Sequence, residues 1–331
     1  MSESSDYDQG DYKGVDFSDA RKEFATSAGR SYSEAVNSGK TVKDLIPQNL
    51  STESSSPLVI VCDVTGSMGE WPTTIFSKLG YLNNEGKTYL GNDMEISFAA
   101  IGDAYSDKYA LQGRPFAKGT DLAIRLKELV IEGGGGPDIY ETYELAALYY
   151  ARNVATPKAI RKPVIIFIGD ENPYDSISAS HAKNLAYVDL QGKSLSLAEV
   201  FNELKAKYSV FMIRKPYGSN RTNEMSSIDS RVHKKWAELL GEDNVKILPD
   251  AGRVVDVIFG ILAEVTNKNS EFREDMEKRQ TEAQRNTVYK SLGLNADGTP
   301  KKETKSDKKN VESSGGKSVL KAPKKKPGRL F

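Results

Sequence analysis

Cysteine and histidine are scarce in this chain of 331 residues, which has one cysteine, Cys62, and two histidines, His181 and His233. A single cysteine excludes an internal disulfide and the zinc sites that need several thiolates. Two histidines exclude a histidine-rich metal site, and neither stands near a serine or cysteine in a pattern typical of a catalytic triad. Any metal chemistry must therefore come from oxygen ligands.

The chain also lacks an excess of charge and a long apolar run. Its 46 basic and 46 acidic residues give a formal net charge of zero, so the whole molecule makes no electrostatic case for nucleic acid or membrane. No run approaches the roughly 20 apolar residues of a membrane-spanning helix. The polar start MSESSD has no apolar segment of the kind found in signal peptides. We therefore expect a soluble, cytoplasmic protein.

Composition shifts along the chain predict four regions. They are an N-terminal arm at 1–56, largely irregular with short helices, an α/β domain at 57–269, a charged helical extension at 270–292, and a disordered basic tail at 293–331. Within the arm, residues 17–36 have helical character. The tail ends in a stretch with several lysines and no acid. The zero net charge is therefore the sum of a basic tail and a more acidic remainder of the chain.

Apolar runs predict the strands of the domain. The runs LVIVC at 58–62 and PVIIFI at 163–168 suit central strands that are buried on both faces. Further strands are predicted at 96–101, 209–213 and 245–248, with a short hairpin arm at 109–116. Helices are predicted at 73–82, 121–132, 139–152, 195–207, 227–240 and 254–266. Because strands alternate with helices, we predict a doubly wound α/β fold with a mostly parallel central sheet flanked by helices.

Oxygen-bearing side chains follow two of the predicted central strands. Asp63, Thr65 and Ser67 come at alternate positions after the first strand, and Asp170 follows the strand at 163–168. The carboxyl ends of parallel strands meet at one edge of a sheet, where ligands bind in such folds. Carboxylates and hydroxyls suit a hard cation of the Mg²⁺ type. The residues therefore predict a divalent-cation site at this edge.

A glycine-rich loop, GGGGPD, carries Asp138 toward the same edge, and Glu141 and Thr142 follow within one turn. Asp138 is also well placed to stabilise the amino end of the next helix, so its role stays open. Asp103, which follows another strand, is interpreted as a turn residue.

These motifs resemble the von Willebrand factor A domains. The segment VIVCDVTGSMG is similar to their metal-ion-dependent adhesion site, whose pattern is Asp-x-Ser/Thr-x-Ser. The segments IGDA, EGGGGPDIYETYELAALYYA and FIGDENP resemble an uncharacterised bacterial and phage branch of that superfamily. The resemblance covers roughly residues 55–270, and it implies a Rossmann-like fold for the domain at 57–269.

The resemblance also implies a ligand set and a partner. Asp63, Thr65 and Ser67 match the first-loop ligands, and Asp170 matches the third-loop aspartate. The second-loop ligand is usually threonine. Here Asp138 is the nearest match by position, with Glu141 and Thr142 as competitors. In the adhesion members, the metal's open position accepts an aspartate or glutamate of a partner protein.

We therefore expect a metal-ion-dependent protein–protein interaction module in an intracellular complex, not an enzyme, with Mg²⁺ as the ion and Mn²⁺ or Ca²⁺ as alternatives. Two other functions stay open. One is a structural or virion-associated assembly protein that contacts nucleic acid weakly through its basic tail. The other is a metal-dependent hydrolase that uses the ion as a Lewis acid, although no histidine is placed to serve as its base.

Overall fold

A computed structural model describes residues 45–136, 138–217 and 226–301 of the chain. The helix predicted at 17–36 and the basic residues at 302–331 lie outside the described residues.

Strands and helices alternate through the described residues. The strands are β1 (Leu50–Ser51), β2 (Ser56–Asp63), β3 (Met94–Ile101), β4 (Leu111–Gly113), β5 (Tyr140–Glu141), β6 (Val154–Ala155), β7 (Val164–Gly169), β8 (Asn172–Pro173), β9 (Ser176–Ile177), β10 (Leu195–Ser196), β11 (Ser209–Arg214) and β12 (Val245–Ile247). The helices are α1 (Trp71–Leu90), α2 (Asp121–Lys127), α3 (Tyr143–Arg152), α4 (Ala179–Ala186), α5 (Leu197–Lys207), α6 (Ser227–Leu240), α7 (Val254–Thr266), α8 (Asn269–Arg279) and α9 (Glu282–Ser291). None of these helices is long and apolar enough to cross a membrane.

The central sheet of the described residues has six strands in the order β12-β11-β7-β2-β3-β4. All neighbours are parallel except β4, which runs antiparallel to β3 at the sheet edge. The prediction of a mostly parallel sheet is therefore confirmed, and β4 lies where the hairpin arm was expected. The chain enters the sheet at β2 in the middle and extends outward from it in both directions.

Helices cover both faces of this sheet. In β2, Leu58, Ile60 and Cys62 belong to a buried apolar cluster with α1 and α7, whereas Val59 and Val61 belong to a second cluster with α3, α5 and α6. Successive strand residues point to opposite faces, so a strand covered on both sides must be apolar throughout. This explains the unbroken run LVIVC and confirms that Cys62 is a core residue.

Two helices are shorter than predicted, because residues at one end of each make contacts with other parts of the chain. The helix predicted at 139–152 begins at Tyr143, since Tyr140 and Glu141 pair with Asn172 and Pro173 in a small parallel ladder. The helix predicted at 121–132 ends at Lys127.

The charged extension forms two helices, α8 and α9. Their apolar residues Phe272, Met276 and Val288 join the core cluster that contains α7. A charged sequence with a weak apolar stripe therefore still packs on the domain through the few apolar residues that it has.

Candidate functional site

The first loop begins where β2 ends. Asp63 is fully buried, and its Oδ1 accepts hydrogen bonds from the Thr65 backbone N at 2.9 Å and from Thr65 Oγ1 at 2.6 Å. Gly66 then donates from its backbone N to Gly134 O at 2.7 Å. A Cβ at Gly66 would lie 3.0 Å from the Gly133 carbonyl oxygen, so any larger residue here would push the two backbones apart.

The third loop brings Asp170 to the same point. Asp170 is fully buried at the end of β7, and its Oδ1 accepts a hydrogen bond from Ser67 Oγ at 2.9 Å. Ser67 Oγ lies 3.3 Å from Thr65 Oγ1. Asp63 and Asp170 are thus joined through two hydroxyl groups, and four of the five predicted ligands lie in one contiguous cluster.

Lys215 adds a cation that was not predicted. Its Nζ donates to Asp170 Oδ2 at 2.9 Å and to the Ser67 carbonyl oxygen at 2.5 Å. The residue follows β11, the neighbour of β7, so its side chain starts from the same edge of the sheet. Lys215 therefore connects the first and third loops and neutralises part of the charge of Asp170.

Tyr143, on α3, supports the first loop of the site. The buried phenol donates from its hydroxyl to Asp63 Oδ2 at 2.7 Å. Its ring stands edge-on to Trp236 with centroids 5.1 Å apart, and Trp236 Nε1 donates to the Glu171 carbonyl oxygen. This aromatic pair holds the carboxylate of Asp63 and the backbone of the third loop in fixed positions.

The second loop distinguishes the three residues that were left open. Thr142 Oγ1 donates to Gly102 O and accepts from Ala104 N, so it connects two loops of the backbone. Asp138 is exposed at the mouth of the site. Glu141 is only 2% exposed, and its Oε2 has no hydrogen-bond partner among the described residues. Glu141 is therefore the second-loop acid whose carboxylate oxygen is available as a ligand inside the site.

A cavity of about 280 Å³, called here the rim cavity, opens between these loops. Its lining residues are Thr65, Ser67, Gly134, Gly135, Gly136, Asp138, Ile139, Glu141, Glu171 and Tyr217. Glu171 is a second acid with a buried Oε2 that has no partner among the described residues, and its Oε1 lies 3.4 Å from Tyr217 Oη. Glu171 thus lines the cavity beside the predicted ligands Thr65 and Ser67.

Crowding of buried acids raises their pKa values. Burial, reinforced by the charge of Asp170, raises the pKa of Asp63 to about 7. Burial together with the charges of Asp63 and Glu171 raises the pKa of Glu141 to about 11. Burial and the charge of Asp170 raise the pKa of Glu171 to about 8. A cation among these groups would relieve the same repulsion.

Asp103 and Asp107 organise the neighbouring loop. Asp107 accepts from Asp103 N and from Gly135 N, both at 2.8 Å, so it joins the turn after β3 to the glycine loop. Asp103 accepts from Tyr105 N and from the hydroxyl of Tyr174. These bonds agree with the interpretation of Asp103 as a turn residue.

The donor set fits a hard cation in its chemistry, because carboxylates and hydroxyls surround the cavity. Two buried carboxylate oxygens there also have no partner within the described part of the chain. Among the described residues, no three Asp, Glu, His or Cys side chains are arranged as a metal-binding group. The hydroxyls of Thr65 and Ser67 stand between the two aspartates and add neutral oxygen donors to them.

No family model matches this chain, and no curated protein matches it. Among solved structures, two crystal structures of the pilus adhesin SpaC from Lactobacillus rhamnosus GG are similar, with TM-scores of 0.45 and 0.46 and 12% identity over 66% of this chain. Proximal thread matrix protein 1 from the mussel byssus has a TM-score of 0.44 and 9% identity over 65% of this chain. The matches cover 32% and 31% of the adhesin and 49% of the matrix protein, so the chain spans about a third to a half of these proteins.

Proposed function

We propose that this chain is a von Willebrand factor A-type domain that binds one divalent cation at the rim cavity and uses it to hold a partner protein. Mg²⁺ is the ion proposed, with Mn²⁺ and Ca²⁺ as alternatives. The hydroxyl link between Asp63 and Asp170 carries this proposal, because it brings oxygen donors from two separate loops within reach of one ion.

The sheet order supports a doubly wound fold and the position of the site. The chain builds β3 on one side of β2 and β7 on the other, so the direction of winding changes at β2. In doubly wound sheets, ligands bind in the crevice outside the carboxyl ends of the strands at such a switch point. Asp63 ends β2 and Asp170 follows β7, so the two acids flank that crevice.

Asp63, Thr65, Ser67 and Asp170 would hold the ion, with Asp138 or Glu141 as the second-loop ligand. Burial and the unpartnered oxygen favour Glu141, whereas Asp138 stands at the mouth, where it would act through water or touch the partner. When bound, the ion supplies a directional positive charge at the rim. Tyr143 and Lys215 would keep Asp63 and Asp170 in place around it.

An aspartate or glutamate of the partner is the group proposed to reach the ion through the open mouth of the cavity. Lys215 supports this, because its ammonium group offsets the charge of Asp170 and reduces the repulsion of an incoming carboxylate. Neither histidine lines the cavity, so the geometry favours binding over hydrolysis.

Isothermal titration calorimetry with Mg²⁺, Mn²⁺ and Ca²⁺ tests the proposal. We expect uptake of one ion by the full chain and its loss in Asp63→Asn, which keeps the size of the side chain. Glu141→Gln and Asp138→Asn identify the second-loop ligand, because the change at the true ligand weakens uptake more. Asp175→Asn, at an exposed acid outside the cavity lining, is the matched control. Equal uptake by wild type and Asp63→Asn would reject the proposal.

A further inference from the structure

Three tyrosine rings contact one another in a row near the rim cavity, one pair tilted and one pair stacked, and this row is called here the tyrosine ladder (Tyr105, Tyr174 and Tyr140). The Tyr105 and Tyr174 ring centroids are 4.8 Å apart, and Tyr174 stacks on Tyr140 at 5.4 Å with an interplanar angle of 27°. His181 lies edge-on to Tyr105 at 4.8 Å. Tyr105 is nevertheless 63% exposed, so the ladder offers solvent an aromatic surface at this end.

Both ends of the ladder adjoin residues that line the rim cavity. Tyr105 sits in the turn held by Asp107, and Asp107 also accepts a hydrogen bond from Gly135, which lines the cavity. At the other end, Tyr140 lies between Ile139 and Glu141, both of which line the cavity. The rings therefore lie close to the residues that line the cavity.

The ladder already holds a cation at one end. Lys235 Nζ lies 4.9 Å from the centroid of the Tyr140 ring and pairs with Asp175 at 2.7 Å. The face of a tyrosine ring is electron-rich and attracts cations. Tyr105 is the ring of the ladder that solvent reaches most freely, so a cation of a partner has access to it.

Charges around the ladder favour a positive group as well. The carboxylate of Asp103 is buried against it and accepts hydrogen bonds from Tyr105 N and from the Tyr174 hydroxyl. Asp138 is exposed at the neighbouring mouth of the cavity. Arginine suits such a place better than lysine, because its planar, weakly hydrated guanidinium group stacks on aromatic rings.

We infer that the tyrosine ladder is a docking surface for an arginine side chain of the partner protein, next to the acidic residue that the ion holds. This inference rests on the proposed function, since it specifies the partner of the same site. The partner segment would carry an aspartate or glutamate for the ion and an arginine for the ladder, so two contacts of opposite charge would fix its direction along the rim.

Fluorescence polarisation with synthetic peptides tests this pairing on the full chain in Mg²⁺. Each peptide has one glutamate and, at one varied position on either side, arginine or citrulline, which is uncharged and has nearly the same shape. At one or more positions we expect arginine peptides to bind roughly two- to fivefold more tightly than their citrulline partners, the range for an exposed cation–π contact. The preference should vanish in Tyr105→Ala and persist in Tyr105→Phe, which keeps the ring.

Ile160→Ala is the matched surface control, since Ile160 is 70% exposed and lies just before the amino end of β7, at the opposite edge of the sheet. Equal binding of arginine and citrulline peptides at every position, including no binding at all, would overturn the inference, as would a preference that survives Tyr105→Ala. Calorimetry without peptide separates the two proposals. Ion uptake without an arginine preference overturns only the ladder, and an arginine preference without ion uptake overturns only the metal site.

Discussion

Removing the hydroxyl group of Tyr143 should destabilise the protein more than removing that of another buried tyrosine. Tyr143→Phe deletes the 2.7 Å hydrogen bond to Asp63 Oδ2 and keeps the ring that packs on Trp236. Asp63 is fully buried, so water cannot replace the lost donor without rearrangement. In a measurement at pH 8.5 the side chain that loses its partner is charged, because the pKa of Asp63 is about 7. Hydrogen bonds to charged groups contribute more than those between neutral groups.

The expected loss in the free energy of unfolding is about 1.5–3 kcal/mol, the usual range for a hydrogen bond to a charged group. For a domain of this size, each kcal/mol lowers the melting temperature by roughly 2–4 °C, so the shift should be about 3–12 °C. Differential scanning calorimetry in EDTA measures it. A bound divalent cation stabilises the charge of Asp63 in place of the phenol, so Mg²⁺ should recover part of the loss.

Tyr150→Phe is the control, because it removes a neutral hydrogen bond between equally buried groups, the 2.8 Å contact with Ser97. We expect it to cost about 0.5–1.5 kcal/mol and to be insensitive to Mg²⁺. If Tyr143→Phe costs no more than Tyr150→Phe and Mg²⁺ recovers neither, the phenol does not support a cation-binding carboxylate.

Three further changes test other parts of the structure. Burial raises the pKa of Glu144 to about 8, so the folded protein keeps a proton that the unfolded chain releases near pH 4.5, and stability falls as pH rises between these values. Glu144→Gln should therefore gain more stability over wild type in urea denaturation at pH 8.5 than at pH 5, and an equal gain at both would contradict this. Lys215→Met removes the cation beside Asp170, so it should lower the melting temperature in EDTA and enlarge the rise caused by Mg²⁺. An unchanged rise would show that Lys215 does not share the charge of the site. Gly66→Ala places a Cβ against two backbone carbonyls and should cost about 1–3 kcal/mol in urea denaturation. Gly86→Ala meets only the flexible end of Met94 and should cost clearly less, and an equal cost would contradict the argument.

The sheet was predictable because its central strands are buried on both faces. Unbroken apolar runs mark β2 and β7, and a run of that kind in a chain with intervening helices leaves little alternative to a parallel sheet. The ends of elements were harder to predict. The helix predicted at 121–132 stops early because the side chain of Gln112 hydrogen-bonds both N and O of Val130, and Glu132 accepts from the backbone of Lys108 and Tyr109. Such contacts between distant residues leave no periodic signal.

The candidate site was also predictable only in part. Asp63, Thr65 and Ser67 follow a strand in a recognisable spacing, and sheet geometry alone brings Asp170 near them. Tyr143 was missed because its role depends on which side of α3 faces the first loop. Lys215 could have been predicted in the same way as Asp170, since it also follows a central strand directly.

The central claim is that side chains from separate loops share one cation, and a crystal structure of the full chain grown in Mn²⁺ tests it most directly. Anomalous diffraction at the manganese edge should show one strong peak in the rim cavity, with Ser67 Oγ and an oxygen of the second loop at about 2.1–2.3 Å and with Asp63 and Asp170 bound directly or through one water. A map without a peak there, or with the only peak elsewhere on the surface, would contradict the account.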